Sequence, residues 1–360
     1  MLLEGLHIPL TTPFHPDGRI NLPKLAANVV RYSKTPAAGL IVLGPSGEPT
    51  LLSDNETCEV LRTAAEAAAP EKVLIAGIAR DSVSATLDLV NFAASLNYDA
   101  VLIGKPGVLA SFGIDRPQPE TRMSEVLTYF QTLADRSPIP IILLSARDRA
   151  LPPDPIVELA AHPNIVALLD VQPHNLRSGA FDELRTRTGA IAHTVAVTPT
   201  FAAVTTRMTK SAAAATLISA ASLTRVAAPF PPQVAERPSP ALKTRTKSVG
   251  FQIVAGDTEG MLRGLQAGAA GIAPAFAACA PHACYEVFAA WKDDDQPLAE
   301  EKQSRLGESS HFAEEILGPG GLKYACDLNG YFGGLPRLPH LPPRGEQRAH
   351  LERLMKPLRN

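Results

Sequence analysis

The chain has 360 residues, which suits two domains of ~100–200 residues each or one α/β barrel of ~250 residues with additions. Its composition, 45% hydrophobic and 19% charged, excludes collagen, a coiled coil and wholesale disorder. Lys and Arg number 34 against 36 Asp and Glu, a formal charge of -2, so no basic field points to nucleic acid or an acidic membrane surface. A small molecule is therefore the expected partner.

The cysteines show neither zinc-ligand spacing nor the pattern of a disulfide framework, so no metal site is expected. They are Cys58, Cys279, Cys284 and Cys326. The first ten residues, MLLEGLHIPL, lack the basic and long apolar regions of a secretory signal. A long uncharged stretch, 188–206, contains His193 and Pro199 and is a poor membrane span. These features predict a cytoplasmic protein without a membrane anchor.

Short apolar runs of β-type composition alternate with longer stretches of helical period along the chain. Eight such runs predict strands at 6–10, 40–43, 73–77, 100–104, 139–144, 165–169, 251–255 and 271–275. The stretches between them predict helices at 22–33, 55–69, 83–96, 120–135, 155–161, 176–186, 259–267 and 281–291. Ser53 with Glu56 forms the sequence pattern of a capping box, and Ser82 is a candidate N-cap. Eight strand and helix pairs favour a closed (β/α)8 TIM barrel over an open doubly wound sheet.

Two regions fall outside this repeat. After residue 291 the chain predicts further helices at 298–317, 322–328 and 346–355, which form a C-terminal helical appendage. The second region is a low-complexity insertion at about 190–250, which carries seven basic residues and one acidic residue. It is interpreted as a mobile loop, a basic docking element for an anionic partner, or an artefact of the gene model. The predicted organisation is a barrel over 1–296, interrupted by the insertion, and a helical region over 297–360.

Several short motifs follow one another in a fixed order. TPF at 12–14 precedes GPSGE at 44–48, IAG at 75–77, DAVLIGKPG at 99–107, PIPIILL at 138–144, PNIVALLD at 163–170, AGD at 255–257, AGAAGI at 267–272 and LKYACDLNGYFGGLPRLP at 322–339. Together they resemble the dihydrodipicolinate synthase and N-acetylneuraminate lyase family over nearly the whole chain except the insertion. Single motifs are weak, but the ordered set is specific.

The resemblance implies a (β/α)8 barrel with C-terminal helices, assembled as a homotetramer or homodimer, with class I aldolase chemistry on pyruvate or another 2-oxo acid. In that chemistry a lysine at the end of the sixth strand forms a Schiff base with the keto group, and the iminium acts as an electron sink. A tyrosine at the end of the fifth strand moves protons, assisted by a threonine of the GxxGE loop. No cofactor and no metal are expected.

The sequence departs from this pattern at the reactive centre. The alignment places Leu169 at the Schiff-base lysine and Leu144 at the relay tyrosine. Pro45 replaces the first hydroxyl of the loop, and Val108 replaces the second tyrosine of the fourth-strand motif. Because leucine has no amine, position 169 cannot form the adduct. The nucleophile and three hydroxyl groups of one relay are therefore absent together.

The binding half of the expected site is retained. Gly44, Ser46, Gly47 and Glu48 keep a loop that can present N–H groups to a carboxylate. Arg149 lies where family members place an arginine that meets the second substrate's carboxylate. The plainer interpretations are a strand-to-helix turn for the glycines and a solvated or salt-bridged loop residue for Arg149.

Other residues are weaker candidates for chemistry. Lys105, at the end of the fourth predicted strand, is a candidate substitute nucleophile, or else a rim lysine with its ammonium in water. Ser145 is a speculative second candidate, although no His/Asp order suggests a triad. Lys323 matches the family's LK motif and is interpreted as structural. His282 lacks further ligands for a metal site and is interpreted as a helix-start histidine.

Two functions follow as hypotheses. The first is a divergent lyase or aldolase acting on a 2-oxo acid or a related carboxylated small molecule, through Lys105 or by positioning and polarisation alone. The second is a non-catalytic ligand-binding or scaffold relative of the family. A conventional family aldolase would require a different alignment of PNIVALLD, and the fold alone does not establish that activity.

Overall fold

The computed structural model describes residues 1–111, 119–146, 149–171, 180–210 and 242–358. All candidate site residues named above lie within these ranges. The middle of the predicted insertion, residues 211–241, lies outside them.

Eight parallel strands close into a barrel, as the alternating pattern predicts. They are β1 (Gly5–Pro9), β2 (Gly39–Val42), β3 (Val73–Ile78), β4 (Ala100–Gly104), β5 (Ile141–Ser145), β6 (Ile165–Asp170), β9 (Gln252–Ala255) and β10 (Gly271–Ile272). Each pairs with the next strand around the barrel, β6 with β9 and β10 with β1. The prediction of a (β/α)8 TIM barrel is confirmed.

Helices follow the strands and pack on the outside of the barrel. The helices along the barrel are α1 (Leu22–Ser33), α2 (Asp54–Ala67), α3 (Val83–Ser95), α4 (Gly107–Ser111), α5 (Pro119–Arg136), α6 (Pro153–Ala160), α7 (Ala180–Thr188), α8 (Met261–Gln266) and α9 (Pro281–Lys292). The expected caps are present: Ser53 and Glu56 form a capping box at α2, and the Ser82 hydroxyl accepts the backbone N–H of Ala85 at α3.

The barrel encloses an apolar core that is separate from the layer between strands and helices. Alternate residues of β6 face opposite sides, so Ala167 and Leu169 pack inside the barrel and Leu168 packs against the helices. The inner core is formed by Leu3, Ile41, Val73, Ile75, Ala100, Leu102, Ile142, Val166, Ala167, Leu169, Val254 and Ala273. The strand ends that bear the candidate site therefore stand on a packed interior.

The C-terminal region is helical, as predicted. It contains α10 (Gln296–Ser310), a π-helical turn (His311–Ile316), α11 (Gly318–Leu328) and α12 (Gly345–Met355). The segment after α11 returns to the carboxyl end of the barrel, where the backbone N–H of Arg337 donates to Glu48 Oε2 at 3.0 Å. None of the helices in the described ranges is long and apolar enough to cross a membrane.

The described ends of the insertion form an antiparallel hairpin of β7 (Ala192–Val197) and β8 (Arg245–Gly250). After β7 the chain docks on the amino ends of the barrel strands, where the Thr206 backbone N–H donates to Asp99. The Arg207 guanidinium donates to the carbonyls of Ala68 and Lys72. Backbone pairing and part-buried hydrogen bonds thus join these described ends of the insertion to each other and to the barrel, whereas the expectation of a mobile loop for the insertion stays a prediction.

His7 is buried inside the barrel and gives the first testable prediction. Burial lowers its pKa from 6.5 to about 4, so the imidazole is neutral in the folded protein at neutral pH. In the unfolded chain it takes up a proton below pH 6.5. Acid therefore favours unfolding, and His7 is expected to cost about 2 kcal/mol of stability between pH 7 and pH 5.

Urea unfolding at pH 7 and pH 5 measures this effect. His7→Gln is expected to reduce the acid-induced loss of stability by that amount, whereas His282→Gln, at an exposed position, leaves it unchanged. Equal pH dependence in the parent and His7→Gln would contradict the assignment.

Candidate active site

Two adjoining cavities open at the carboxyl ends of the barrel strands, the face at which (β/α)8 active sites lie. The outer cavity has a volume of about 750 Å³ and the inner cavity about 280 Å³. Both are bordered by Pro45, Ala146 and Pro319, so the two spaces share one wall.

The outer cavity holds the cationic candidates. Lys105 and Arg149 both line it, and Lys105 Nζ lies 3.5 Å from the Ala150 carbonyl oxygen. Arg80 also lines it, but its guanidinium is engaged by Asp54 Oδ1 at 2.8 Å and by the Thr57 hydroxyl at 3.0 Å. The described lining of this cavity thus holds three cationic residues, Arg80, Lys105 and Arg149.

The inner cavity is apolar with an acidic side. Its walls include Leu169, Val171 and Ala273, and its acidic residues are Asp257, Glu314 and Glu315. Among the described residues that border it, none is a lysine or an arginine. The lining of the outer cavity thus carries both cationic and acidic residues, including Asp54 and Asp81, whereas that of the inner cavity carries acids without a cation.

Leu144 and Leu169 are paired neighbours on adjacent strands, one residue before the end of β5 and of β6. Leu169 packs inside the barrel at the inner cavity, and Leu144 borders the outer cavity. Of the other two positions aligned with the relay, Pro45 borders both cavities. Val108 lies on α4 with 41% of its surface exposed and borders neither.

The turn after β2 spans the two cavities. Pro45 to Gly47 form a single 3₁₀ turn in which the Gly47 N–H donates to the Gly44 carbonyl at 2.8 Å. Pro45 has no N–H, and the Gly47 carbonyl accepts the Thr12 hydroxyl. Within this turn Gly44 borders the outer cavity and Ser46 the inner one. The Gly47 N–H, expected to face a carboxylate, is therefore used inside the turn.

Glu48 binds inside the protein, although its residue borders the outer cavity. Its Oε1 lies 2.5 Å from Lys323 Nζ, and both side chains are almost fully buried. Lys323 also donates to the Leu335 carbonyl and lies over the Phe14 ring, 4.2 Å from its centre. Burial lowers the pKa of Lys323, opposed by the Glu48 carboxylate. Lys323 thus fixes the turn after β2 to the C-terminal region, in keeping with its interpretation as structural.

Arg337 makes a second link between these segments and was not singled out from the sequence. Its guanidinium donates to both carboxylate oxygens of Glu56, at 2.5 and 2.8 Å, and to the carbonyls of Gly18 and Leu51. This hydrogen bonding lowers the pKa of Glu56 to about 2. The signal in the sequence is weak, since Arg337 lies in a Pro- and Gly-rich segment without periodicity.

Ser145 is buried at the end of β5, where its hydroxyl accepts the backbone N–H of Leu151 at 3.2 Å. It borders neither cavity among the residues that the structure describes. Its hydroxyl therefore shapes the loop that leads from β5 to α6. His282 is exposed at the start of α9, as expected for a helix-start residue.

Glu314 borders the inner cavity and could not be predicted from any pattern in the sequence. It lies in the π-helical turn, and its Oε1 accepts the Thr258 hydroxyl at 2.7 Å. Burial raises its pKa to about 8, with further increases from Asp257 and Glu315 and a decrease from Thr258. No group of three or more His, Cys, Asp or Glu that could hold a metal ion occurs among the described residues.

The sequence profile of the dihydrodipicolinate synthetase family matches residues 2–175. Over 170 residues the chain is 30% identical to 4-hydroxy-tetrahydrodipicolinate synthase from Exiguobacterium sp., which covers 46% of this chain and 55% of that protein. It is 30% identical over 171 residues to L-threo-3-deoxy-hexylosonate aldolase from Hypocrea jecorina, covering 45% and 52%. The chain thus spans about half the length of these relatives.

The whole fold also matches solved structures. The structure of dihydrodipicolinate synthase from Bacillus anthracis superposes with a TM-score of 0.74 over 100% of both chains, at 19% identity. This likeness extends to the C-terminal helices and shows the fold alone, since the identity is low.

Proposed function

Because the chain belongs to the dihydrodipicolinate synthetase family, which its residues 2–175 match, we propose that it is a divergent lyase or aldolase of that family. Its substrate is a 2-oxo acid or a related small carboxylated molecule. The relatives named above are a synthase and an aldolase, which supports this reaction class. The chemistry proceeds without a lysine at position 169 and without a tyrosine at position 144.

The observation that carries the proposal is that Lys105 and Arg149 both line the outer cavity, as does Gly44 at the start of the turn after β2. Arginine is always charged in proteins, and its planar fork matches a carboxylate. An ammonium beside it adds a second positive charge. A small carboxylate at the strand ends would therefore be held at the entrance to the inner cavity.

Lys105 is proposed as the substitute nucleophile. A neutral lysine amine adds to a ketone, and loss of water gives an iminium ion that accepts the electron pair of a breaking carbon–carbon bond. Lys105 is half-buried, and Pro106 and Leu144 line the same cavity. Without this adduct, Lys105 and Arg149 would still bind and polarise the substrate.

A non-catalytic ligand-binding role is the second candidate. It is favoured by Leu144 and Leu169, which place two aliphatic side chains at the strand ends where the family resemblance implies an amine and a phenol. The outer cavity would then bind a carboxylate without transforming it. Assembly as a homotetramer or homodimer, implied by the resemblance, is also proposed and is tested by light scattering.

Reduction with borohydride in the presence of pyruvate tests the nucleophile. We expect a reduced adduct on Lys105, located by peptide mass analysis. Lys105→Arg keeps the positive charge and is expected to lose the adduct while binding pyruvate within a few-fold of the parent. Lys105→Met is expected to lose the adduct and to bind about tenfold more weakly, because one charge-assisted contact is gone.

Each outcome has a distinct meaning. Pyruvate binding without adduct or turnover of any 2-oxo acid favours the ligand-binding role. An adduct that persists in Lys105→Arg contradicts the assignment of Lys105. Absence of binding by every 2-oxo acid tested rejects the proposed function.

A further inference from the structure

The inner cavity contains a carboxyl group that none of the roles above uses. Glu314 borders this cavity together with Leu169, and Pro45, Ala146 and Pro319 border both this cavity and the outer one. A ligand whose carboxylate lies toward Arg149 in the outer cavity would extend past these three residues toward Glu314.

The backbone at Glu314 is unusual. The turn His311–Ile316 is π-helical and lies between α10 and α11. Such turns widen the helix by one residue and are found often at functional sites, because they redirect a side chain. Here the redirected carboxyl group borders the cavity and accepts the Thr258 hydroxyl from the loop after β9.

Burial and two neighbouring carboxyl groups favour the acid form of Glu314, while hydrogen bonds from the Thr258 hydroxyl and the Phe276 backbone lower its pKa. Asp257 approaches from the loop after β9, Glu315 from the same turn, and the Cys279 and Cys284 thiols from the segment that includes the start of α9. With burial, the two carboxyl groups keep the pKa of Glu314 near 8. Since no described residue bordering the cavity is basic, Glu314 retains its proton at neutral pH.

We propose that Glu314 is the proton-transfer residue of this site. In its acid form it donates to the carbonyl oxygen of a small ketone or aldehyde that is bound without an imine and whose carboxylate lies toward Arg149. This role rests on the proposed function, because it requires a carboxylated carbonyl compound in the two cavities. It also supplies a proton donor at a site where Leu144 has no hydroxyl group.

The simplest reaction of this kind is enolisation. Glu314 passes its proton to the carbonyl oxygen, whose C=O π electrons form the new O–H bond. The adjacent C–H bond breaks, its electron pair forms the C=C bond of the enol, and a water molecule takes the released proton. Return of a proton from that water to Glu314 completes the cycle. In D₂O the reverse reaction places deuterium on the carbon.

Proton NMR in D₂O therefore tests the proposal with two probes. Pyruvate carries its carbonyl next to the carboxylate, and 4-oxopentanoate carries it three carbons away. We expect the protein to accelerate exchange of the adjacent C–H protons in at least one probe. Glu314→Gln is expected to reduce this rate by about 10²-fold, since the amide has no acidic proton. Glu308→Gln, an exposed position on α10, is expected to leave it unchanged.

The pH profile separates proton donation from a structural effect. Exchange is expected to fall as pH rises through about 8, where Glu314 ionises. Thr258→Val removes the hydrogen bond that lowers this pKa, so the fall is expected at higher pH. This shift is measured in a variant that keeps Glu314.

Two results would overturn the inference. One is exchange in Glu314→Gln at the parent rate, and the other is binding of both probes without exchange by the parent. Failure of both probes to bind would instead reject the proposed function. Binding is followed separately by saturation-transfer NMR, so the two failures are distinguishable.

Discussion

Lys323→Met is expected to lower the free energy of unfolding at pH 7 by about 3–5 kcal/mol, because it leaves the Glu48 carboxylate buried without its cation. The two charged atoms lie 2.5 Å apart with almost no exposure to water. The Phe14 ring below the ammonium would lose its cation as well. Urea denaturation followed by circular dichroism measures the change.

A double-mutant cycle isolates the pair. Glu48→Gln is expected to lower the free energy of unfolding by less than the loss of every Glu48 contact would, since its amide oxygen can still accept the Arg337 N–H. The double variant is expected to lose less free energy of unfolding than the sum of the losses in the two single variants. The reason is that neither charge then stays buried alone.

Lys292→Met provides the matched control. Lys292 also pairs with a glutamate, Glu4 at 2.6 Å, but 55% of its side chain is exposed. Its loss is expected to cost at most about 1 kcal/mol, as for other surface ion pairs. A cost for Lys323→Met no larger than that of Lys292→Met would contradict the structural role of the buried pair.

The barrel could be predicted because its signals are local. The strand predicted at 165–169 matches β6, since its apolar residues pack on both faces and the run ends at Asp170. Ser53 marks the start of α2 for an equally local reason, a side-chain hydrogen bond within one helical turn. Eight repeats of such signals then favour closure of the sheet.

The hairpin of the insertion was missed because it has little apolar character. The strand β8, RTKSVG, is polar and largely exposed, so neither alternation nor hydrophobicity marks it. Its partner β7 buries only Val195 and Val197, against Leu2. These contacts come from tertiary packing on the amino end of the barrel, which single-sequence patterns do not contain.

The candidate site was predictable in part. The positions of Leu144 and Leu169 at the strand ends follow from alignment and from the two-residue period of β-strands. The pairing of Glu48 with Lys323 and the position of Glu314 could not be predicted from the sequence. Both depend on how the C-terminal region returns over the barrel, a contact between segments far apart in the chain.

Leu169→Lys combined with Leu144→Tyr is expected to create a pyruvate-dependent Schiff base at position 169. The two positions are register partners on the adjacent strands β5 and β6, so the new phenol would stand beside the new amine. Burial among Ile41, Val171 and Ala273 would favour the neutral, nucleophilic amine. Borohydride trapping is expected to give an adduct at position 169 that the parent cannot form.

Comparing Leu169→Lys alone with the double variant separates the role of the amine from that of the phenol. Leu169→Lys alone is expected to form the adduct but to turn over slowly, because no phenol moves protons at the iminium. Adding Leu144→Tyr is expected to raise turnover of pyruvate with an aldehyde by about 10²-fold, the usual range for a positioned acid or base. Steady-state kinetics on the two variants measures that difference.

Leu322→Lys is the matched control, since it places an amine at the opposite side of the same cavity, on α11. If the strand end itself orients the amine, Leu322→Lys forms little or no adduct with pyruvate. Equal trapping in both variants would show that the cavity imposes no orientation.

Pyruvate binding without trapping in Leu169→Lys would show that the acids around the cavity keep the amine protonated. Adding Glu314→Gln to Leu169→Lys would then be expected to restore the adduct, because the new amine could otherwise take the Glu314 proton and be held as an ammonium beside the resulting carboxylate.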